Sequence, residues 1–244
     1  MWHAIQWIRS LFFIIQMYIM LPIVGFGMAP FVYLKPSLAF GVIRFYCNWV
    51  RWTASWMVGL KTEIRGEIPD GAVIVASKHQ SFLDILLLSA ALPRIKFIMK
   101  AELRFVPVIS LYARFTNSIP VKRGKRGAAI KKMISDVKTG QQEAGQLIIF
   151  PQGTRVAAGA KKPYKVGAYV LYEQTGQAVV PAATNVGVFW KRHGLMRYPG
   201  TAVLEFLDPI EPGKSQKEFM EAMETAVETH SDRLMREVGF GEGA

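Results

Sequence analysis

Residues 11–34, LFFIIQMYIMLPIVGFGMAPFVYL, carry no charge and one clearly polar side chain, Gln16. At about 1.5 Å per residue, a helix of this length can cross a hydrocarbon core roughly 30 Å thick. Pro22, Pro30 and Pro36 are expected to interrupt or end it, because proline lacks an amide hydrogen and crowds the preceding turn. A second apolar run, SLAFGVIRFYCNWVRWTASWMVGL (37–60), has a narrow polar stripe. Arg44, Asn48, Arg51 and Ser55 recur at spacings of four, three and four and so share one helix face. Phe45, Trp49, Trp52 and Trp56 occupy the remaining surface, and tryptophan favours the membrane–water boundary. The pattern predicts a membrane-binding two-helix hairpin over residues 1–60, lying in the interface. A transmembrane first helix and a buried soluble helix pair are the alternatives. Arg9, the apolar run and the small residues Gly27 and Ala29 also outline a secretory signal, but the run is long for one and Pro30 follows the cut.

From residue 61 the pattern changes. Short β-rich runs at 61–65, 72–77, 95–99, 146–150, 178–186 and 202–207 alternate with helical periodicity at 81–91, about 127–139 and 166–174. This alternation predicts an α/β domain over 61–244, a mixed, mostly parallel sheet flanked by helices. Pro181 fits a sheet edge or bulge better than a central strand. Ser215 and Glu218 form a capping-box pattern that opens an amphipathic helix over roughly 215–237, with Phe219, Met223 and Val227 on one face.

Charge narrows the partner. A formal net charge of +12 calls for an anionic one. Beside an apolar N-terminus, a lipid surface is favoured, since each basic residue near an anionic membrane contributes about 1 kcal/mol. The runs VKRGKRGAAIKK (121–132) and RVAAGAKKPYK (155–165) suit lipid headgroups, nucleotide phosphates or an acidic carrier protein, or are simply solvated basic faces. No aromatic ribonucleoprotein motif, zinc knuckle or recognition helix accompanies them, so nucleic acid is not expected. Cys47 is the only cysteine, which excludes an intrachain disulfide and a cysteine-based zinc site and suits a reduced, cytosol-facing location.

Candidate chemistry begins at SKHQSFLDILLL (77–88). Ser81-x-x-Asp84 before an apolar run is itself a capping-box pattern and needs no catalysis. Yet His79 sits where a strand meets a helix, a position where α/β folds gather their sites. Asp84, one turn on, can accept a hydrogen bond from one ring nitrogen and leave the other free to take a proton from a hydroxyl. A base without its own nucleophile implies that the substrate supplies the attacking oxygen. FPQGTR (150–155) follows a strand and places Gly153 in a tight turn. Arg155, Arg123 and Lys100 then offer cations at strand ends, where they can hold a phosphate.

His79-x4-Asp84, Arg123, Phe150-Pro151-x-Gly153-Thr154-Arg155 and Val180-Pro181-Ala182 occur in the order seen in the glycerolipid acyltransferases of the HxxxxD type. The chain resembles the 1-acyl-glycerol-3-phosphate (lysophosphatidate) acyltransferases. That resemblance implies transfer of a fatty acyl group from acyl-CoA or acyl-carrier protein to the 2-hydroxyl of lysophosphatidate, giving phosphatidate. It implies His79 and Asp84 as the catalytic pair, and Arg155, Arg123 and Lys100 as phosphate ligands. Gln152, Gly153 and Thr154 would line the substrate or oxyanion region. No metal or cofactor is implied, and the expected location is the cytoplasmic face of the inner membrane. The third motif departs from the family's usual FPEGTR: Gln152 keeps a polar side chain but loses the charge. Exchanging Gln152 for Glu is therefore expected to keep about a fifth of activity or more. Rival readings are an acyltransferase for another acceptor, such as a lyso-ornithine lipid, and a non-catalytic lipid-binding protein. A serine hydrolase is disfavoured because no G-x-S-x-G elbow is present.

Overall fold

The computed structural model describes residues 2–121 and 145–241, together with Lys131 and Ser135. The helix expected at about 127–139, the run VKRGKRGAAIKK beyond Val121, and Arg123 therefore lie outside the described residues, Lys131 and Ser135 aside.

Two N-terminal helices, α1 (Trp2–Leu34) and α2 (Leu38–Met57), lead into a seven-stranded sheet. Its strands are β1 (Leu60–Arg65), β2 (Ile74–Ser77), β3 (Ile95–Lys100), β4 (Ile119–Val121), β5 (Gln146–Ile149), β6 (Val179–Thr184) and β7 (Gly200–Phe206). The helices between them are α3 (Leu83–Ala91), α4 (Pro107–Phe115), α5 (Gly167–Thr175) and the single turn α6 (Val186–Phe189), and α7 (Gln216–Arg236) closes the fold. The strand order is β1-β7-β6-β2-β5-β3-β4. Every neighbouring pair is parallel except β6–β7. Alternation along each strand divides two cores. Val75, Ile148, Val180 and Leu204 face α1, α2 and α3, while Ile74, Ala76, Leu147 and Val179 face α5 and α7.

Two proline expectations need correction. The first helix is not interrupted: α1 is one 33-residue element containing both Pro22 and Pro30, and only Pro36 lies in the turn beyond it. Each internal proline removes the donor for the carbonyl four residues back, that of Tyr18 or Phe26. The adjoining carbonyls of Met17 and Gly25 each accept a tyrosine hydroxyl, Tyr46 of α2 at 2.9 Å and Tyr112 of α4 at 3.0 Å. Tertiary contacts thus hold the helix one residue from each gap. Pro181, in turn, is not on an edge, because β6 lies between β7 and β2. The bulge is on its partner. Ala182 pairs with Phe206 and Val179 bridges Ile210, so four steps of one chain oppose three of the other. The Pro181 carbonyl still accepts from the Leu207 amide at 2.9 Å. Helix α4 and strand β4 were not foreseen in the hydrophobic pattern, whereas α7 opens on the expected Ser215–Glu218 capping box.

One face of α1 (Gln6, Ser10, Phe13, Met17, Val24, Gly25, Val32) is buried along the helix. Phe12, Ile15, Ile19, Ile23 and Phe26 stay exposed, as do Phe45, Trp52 and Trp56 of α2. The polar stripe of α2 turns toward the protein: Arg44 donates to the Pro93 carbonyl, and Arg51 to the Thr62 hydroxyl and Asn48 side chain.

Candidate functional site

Parallel strands β2, β5, β3 and β4 are consecutive neighbours, so their carboxyl ends form one edge. From that edge leave the His79 segment after β2, the FPQGTR loop after β5, and Lys100 at the end of β3. This is the rim where ligands of open α/β sheets are bound.

His79 Nδ1 lies 2.9 Å from Asp84 Oδ2. A carboxylate only accepts, so Nδ1 carries the proton and Nε2 is left as the basic nitrogen. Asp84 is fully buried, while the imidazole keeps 13% of its side-chain surface. The same Oδ2 accepts the amides of Gln80 and Ser81, each at 2.7 Å. As the second residue of α3, Asp84 also complements the helix dipole. The capping box forms by half: Ser81 Oγ accepts from the Leu83 amide at 3.2 Å, one residue short of the expected partner. Cap and dyad are therefore one structure, in which backbone amides hold the carboxylate that orients the imidazole.

The FPQGTR loop is fastened to this pair. The Phe150 ring stacks on the His79 ring, with centroids 4.0 Å apart and planes 19° from parallel. Past the loop, the Val156 amide donates to the His79 carbonyl at 2.7 Å. Gly153, at φ 69°, closes the turn by donating to the Phe150 carbonyl at 2.8 Å. Only glycine adopts that backbone readily. The Gly153 amide is thereby engaged and is not a free oxyanion donor. Thr154 and Arg155 are half-buried. The Arg155 carbonyl accepts from Arg192 Nη1 at 3.2 Å, which brings a second, unforeseen guanidinium to the loop. Lys100 is exposed at the end of β3.

Beneath the loop lies a cluster that no sequence motif announced. Lys78, directly before His79, is 1% exposed, and its ammonium meets Glu228 of α7 at 2.7 Å. The other Glu228 oxygen accepts the Tyr164 hydroxyl at 2.8 Å. Burial first, and the Glu228 carboxylate second, push the Tyr164 phenol well above its ordinary range. Gln152 is 1% exposed, with Nε2 at 3.4 Å from the Lys162 carbonyl and 3.5 Å from Glu228 Oε1. Asp84 Oδ1 and Gln152 Oε1 are buried without a hydrogen-bond partner among the described residues.

Comparison with known proteins shows the family and the fold. The acyltransferase family model matches residues 60–185, from β1 to the end of β6. The 1-acyl-sn-glycerol-3-phosphate acyltransferase of Pseudomonas aeruginosa is 28% identical over 179 residues, covering 72% of this chain and 69% of that protein. The 1-acyl-sn-glycerol-3-phosphate acyltransferase alpha of Mus musculus is 27% identical over 199 residues, covering 78% and 70%. In fold, the chain is similar to the crystal structure of the 1-acyl-sn-glycerophosphate (LPA) acyltransferase PlsC of Thermotoga maritima. That similarity has a TM-score of 0.78 at 22% identity and covers 93% of this chain and 97% of the other. With its histidine–aspartate pair and FPQGTR loop on the rim of the matched region, the chain belongs to the acyltransferase family.

Proposed function

We propose that this protein is a membrane-associated 1-acyl-sn-glycerol-3-phosphate O-acyltransferase that converts lysophosphatidate to phosphatidate. The observation that carries the reading is the 2.9 Å contact between His79 Nδ1 and the buried Asp84 carboxylate. The names of the curated relatives support lysophosphatidate as acceptor.

In the reaction, His79 Nε2 takes the proton of the acceptor's 2-hydroxyl as its oxygen attacks the thioester carbonyl carbon. The tetrahedral adduct collapses, the carbon–sulfur bond breaks, and the departing thiolate receives the proton from Nε2. Asp84 stabilises the imidazolium between these steps. Arg155, with Lys100 and Arg123, holds the acceptor phosphate. The Arg155 guanidinium forms no hydrogen bond or ion pair with a described residue, which suits an anion ligand. The acyl donor is acyl-CoA or acyl-carrier protein, and no metal or further cofactor takes part.

Residues 1–60 form the membrane-associated segment and 61–244 the catalytic domain. Helix α1 is long and apolar enough to cross a membrane, yet its inner face is docked throughout. Gln6 donates to the carbonyls of Val58 and Arg197, Phe13 meets Trp190, and Tyr33 meets Phe115. Spanning a bilayer would draw the packed polar groups into hydrocarbon, so the helix lies in the interface, half immersed, on the cytoplasmic face of the inner membrane.

The test supplies purified protein with labelled acyl-CoA and acyl-carrier protein and a panel of lyso-acceptors, and reads phosphatidate formed. Lysophosphatidate is expected to be the best acceptor. A higher kcat/KM for lyso-ornithine lipid or another lysophospholipid would reassign the substrate.

A further inference from the structure

The FPQGTR motif is neutral at residue 152, and α7 brings a carboxylate to the same place. Glu228 lies outside the matched family region, on the final helix, yet reaches three segments of the catalytic rim. One oxygen binds the ammonium of Lys78, whose backbone leads directly into His79. The other binds Tyr164 at 2.8 Å and faces the Gln152 amide at 3.5 Å. A buried lysine of this kind requires one carboxylate, since an unpaired ammonium is strongly disfavoured away from water. A second carboxylate would be an excess charge beside Glu228, and like charges at this range prevent both from ionising.

We propose that Glu228 is a positioning residue for acyl transfer. Its ion pair with Lys78 fixes the His79 segment, and Gln152 is neutral because Glu228 already supplies the carboxylate that the buried Lys78 needs, with Glu224 exposed on the next turn of α7. The proposal rests on the acyltransferase reading above and deepens it. It predicts a larger loss from glutamate at residue 152 than the motif comparison alone leads one to expect. Lys78, from the end of β2, Lys161, Lys162 and Tyr164, from the segment before α5, and Glu224 and Glu228, from α7, are the titratable groups facing the cluster.

A charge-relocation series in the full-length protein tests this. Gln152→Glu is expected to lower kcat about tenfold or more at pH 8, with KM changed less than about twofold. The ratio of its kcat to that of wild type should rise as pH falls toward about 5.5, because protonating one of the crowded carboxyls removes the excess charge. Glu228→Gln strands Lys78 and should lower kcat and melting temperature together. The double variant Q152E/E228Q restores one carboxylate and should exceed both single variants in kcat by about threefold or more.

Three results would overturn the proposal. One is Q152E within about twofold of wild type with a pH-independent ratio. Another is a double variant no better than the poorer single one. The third is recovery of melting temperature without recovery of kcat, which marks a purely structural pair. If E228Q does not fold, the Q152E pH ratio decides alone. Wild type measured on the acceptor panel separates the two claims: failure with lysophosphatidate but turnover of another acceptor refutes the acceptor assignment, and the series is then read on that acceptor.

Discussion

The rim of the sheet and the outer face of the N-terminal helices use the same core in opposite ways. At the rim, the proposed chemistry is concentrated. One buried carboxylate oxygen, Asp84 Oδ2, receives the His79 ring and two backbone amides, and one stacked phenylalanine ties the FPQGTR loop to that ring. Across α1 and α2, the membrane contact we propose is dispersed over Phe12, Ile15, Ile19, Ile23, Phe26, Phe45, Trp52 and Trp56, all exposed, with Trp52 in ring contact with Trp49 and Trp56. Directional chemistry depends on single atoms, whereas partition into lipid scales with total apolar area. Single substitutions should therefore be severe at the rim and mild on the helices.

The largest effect should come from His79→Ala, with acyl transfer falling by about three orders of magnitude, the contribution expected of a positioned base. Sedimentation with anionic phosphatidylglycerol vesicles should be unchanged. Loss of vesicle binding alongside activity would erase the contrast between the two regions. Asp84→Asn should lower kcat about a hundredfold and destabilise the fold by about 1–3 kcal/mol, because charge-assisted bonds to two buried amides are weakened. A kcat loss without any melting shift would separate cap from dyad. Arg155→Ala should raise KM for lysophosphatidate about tenfold with a smaller change in kcat, measured against an acceptor lacking phosphate. An equal effect on both acceptors would remove the phosphate role.

Much of this division can be read in the chain because it is local. The dyad and its cap lie within six residues, His79 to Asp84, and the FPQGTR turn is defined by Pro151 and Gly153. The parallel strands announce themselves as short apolar runs bounded by turns. What is not legible is non-local. Glu228 sits on an amphipathic helix where its face reads as solvated, and its partner Lys78 is 150 positions away. No periodicity marks a lysine for burial. Proline rules also misdirect where tertiary contacts compensate: hydroxyls of Tyr46 and Tyr112 support α1 beside its proline gaps, and a bulge after β7 accommodates Pro181. Strand β4, with Pro120 at its centre, is too short to register as a pattern.

On the dispersed side, Trp52→Ser alone should weaken binding to those vesicles only about two- to fivefold, and adding Trp56→Ser should weaken it further, with the two effects coupled because the rings touch, centroids 5.7 Å apart. Complete loss from the single change would mean a specific lipid site instead of a partitioning face. The smallest effect is expected at Cys47, buried at the junction of α2 and α3. Burial pushes its thiol up to about 12, so it should resist alkylation at pH 8 in the native protein and react fully in denaturant.

The central claim is that a rim histidine transfers an acyl group to a lipid hydroxyl. Its most direct test follows thiol release and phosphatidate formation together in wild-type protein given acyl thioester with and without lysophosphatidate. The mechanism predicts about one thiol per phosphatidate formed and almost none when the acceptor is omitted. Thiol release at the same rate without acceptor would make the protein a thioesterase and contradict the account.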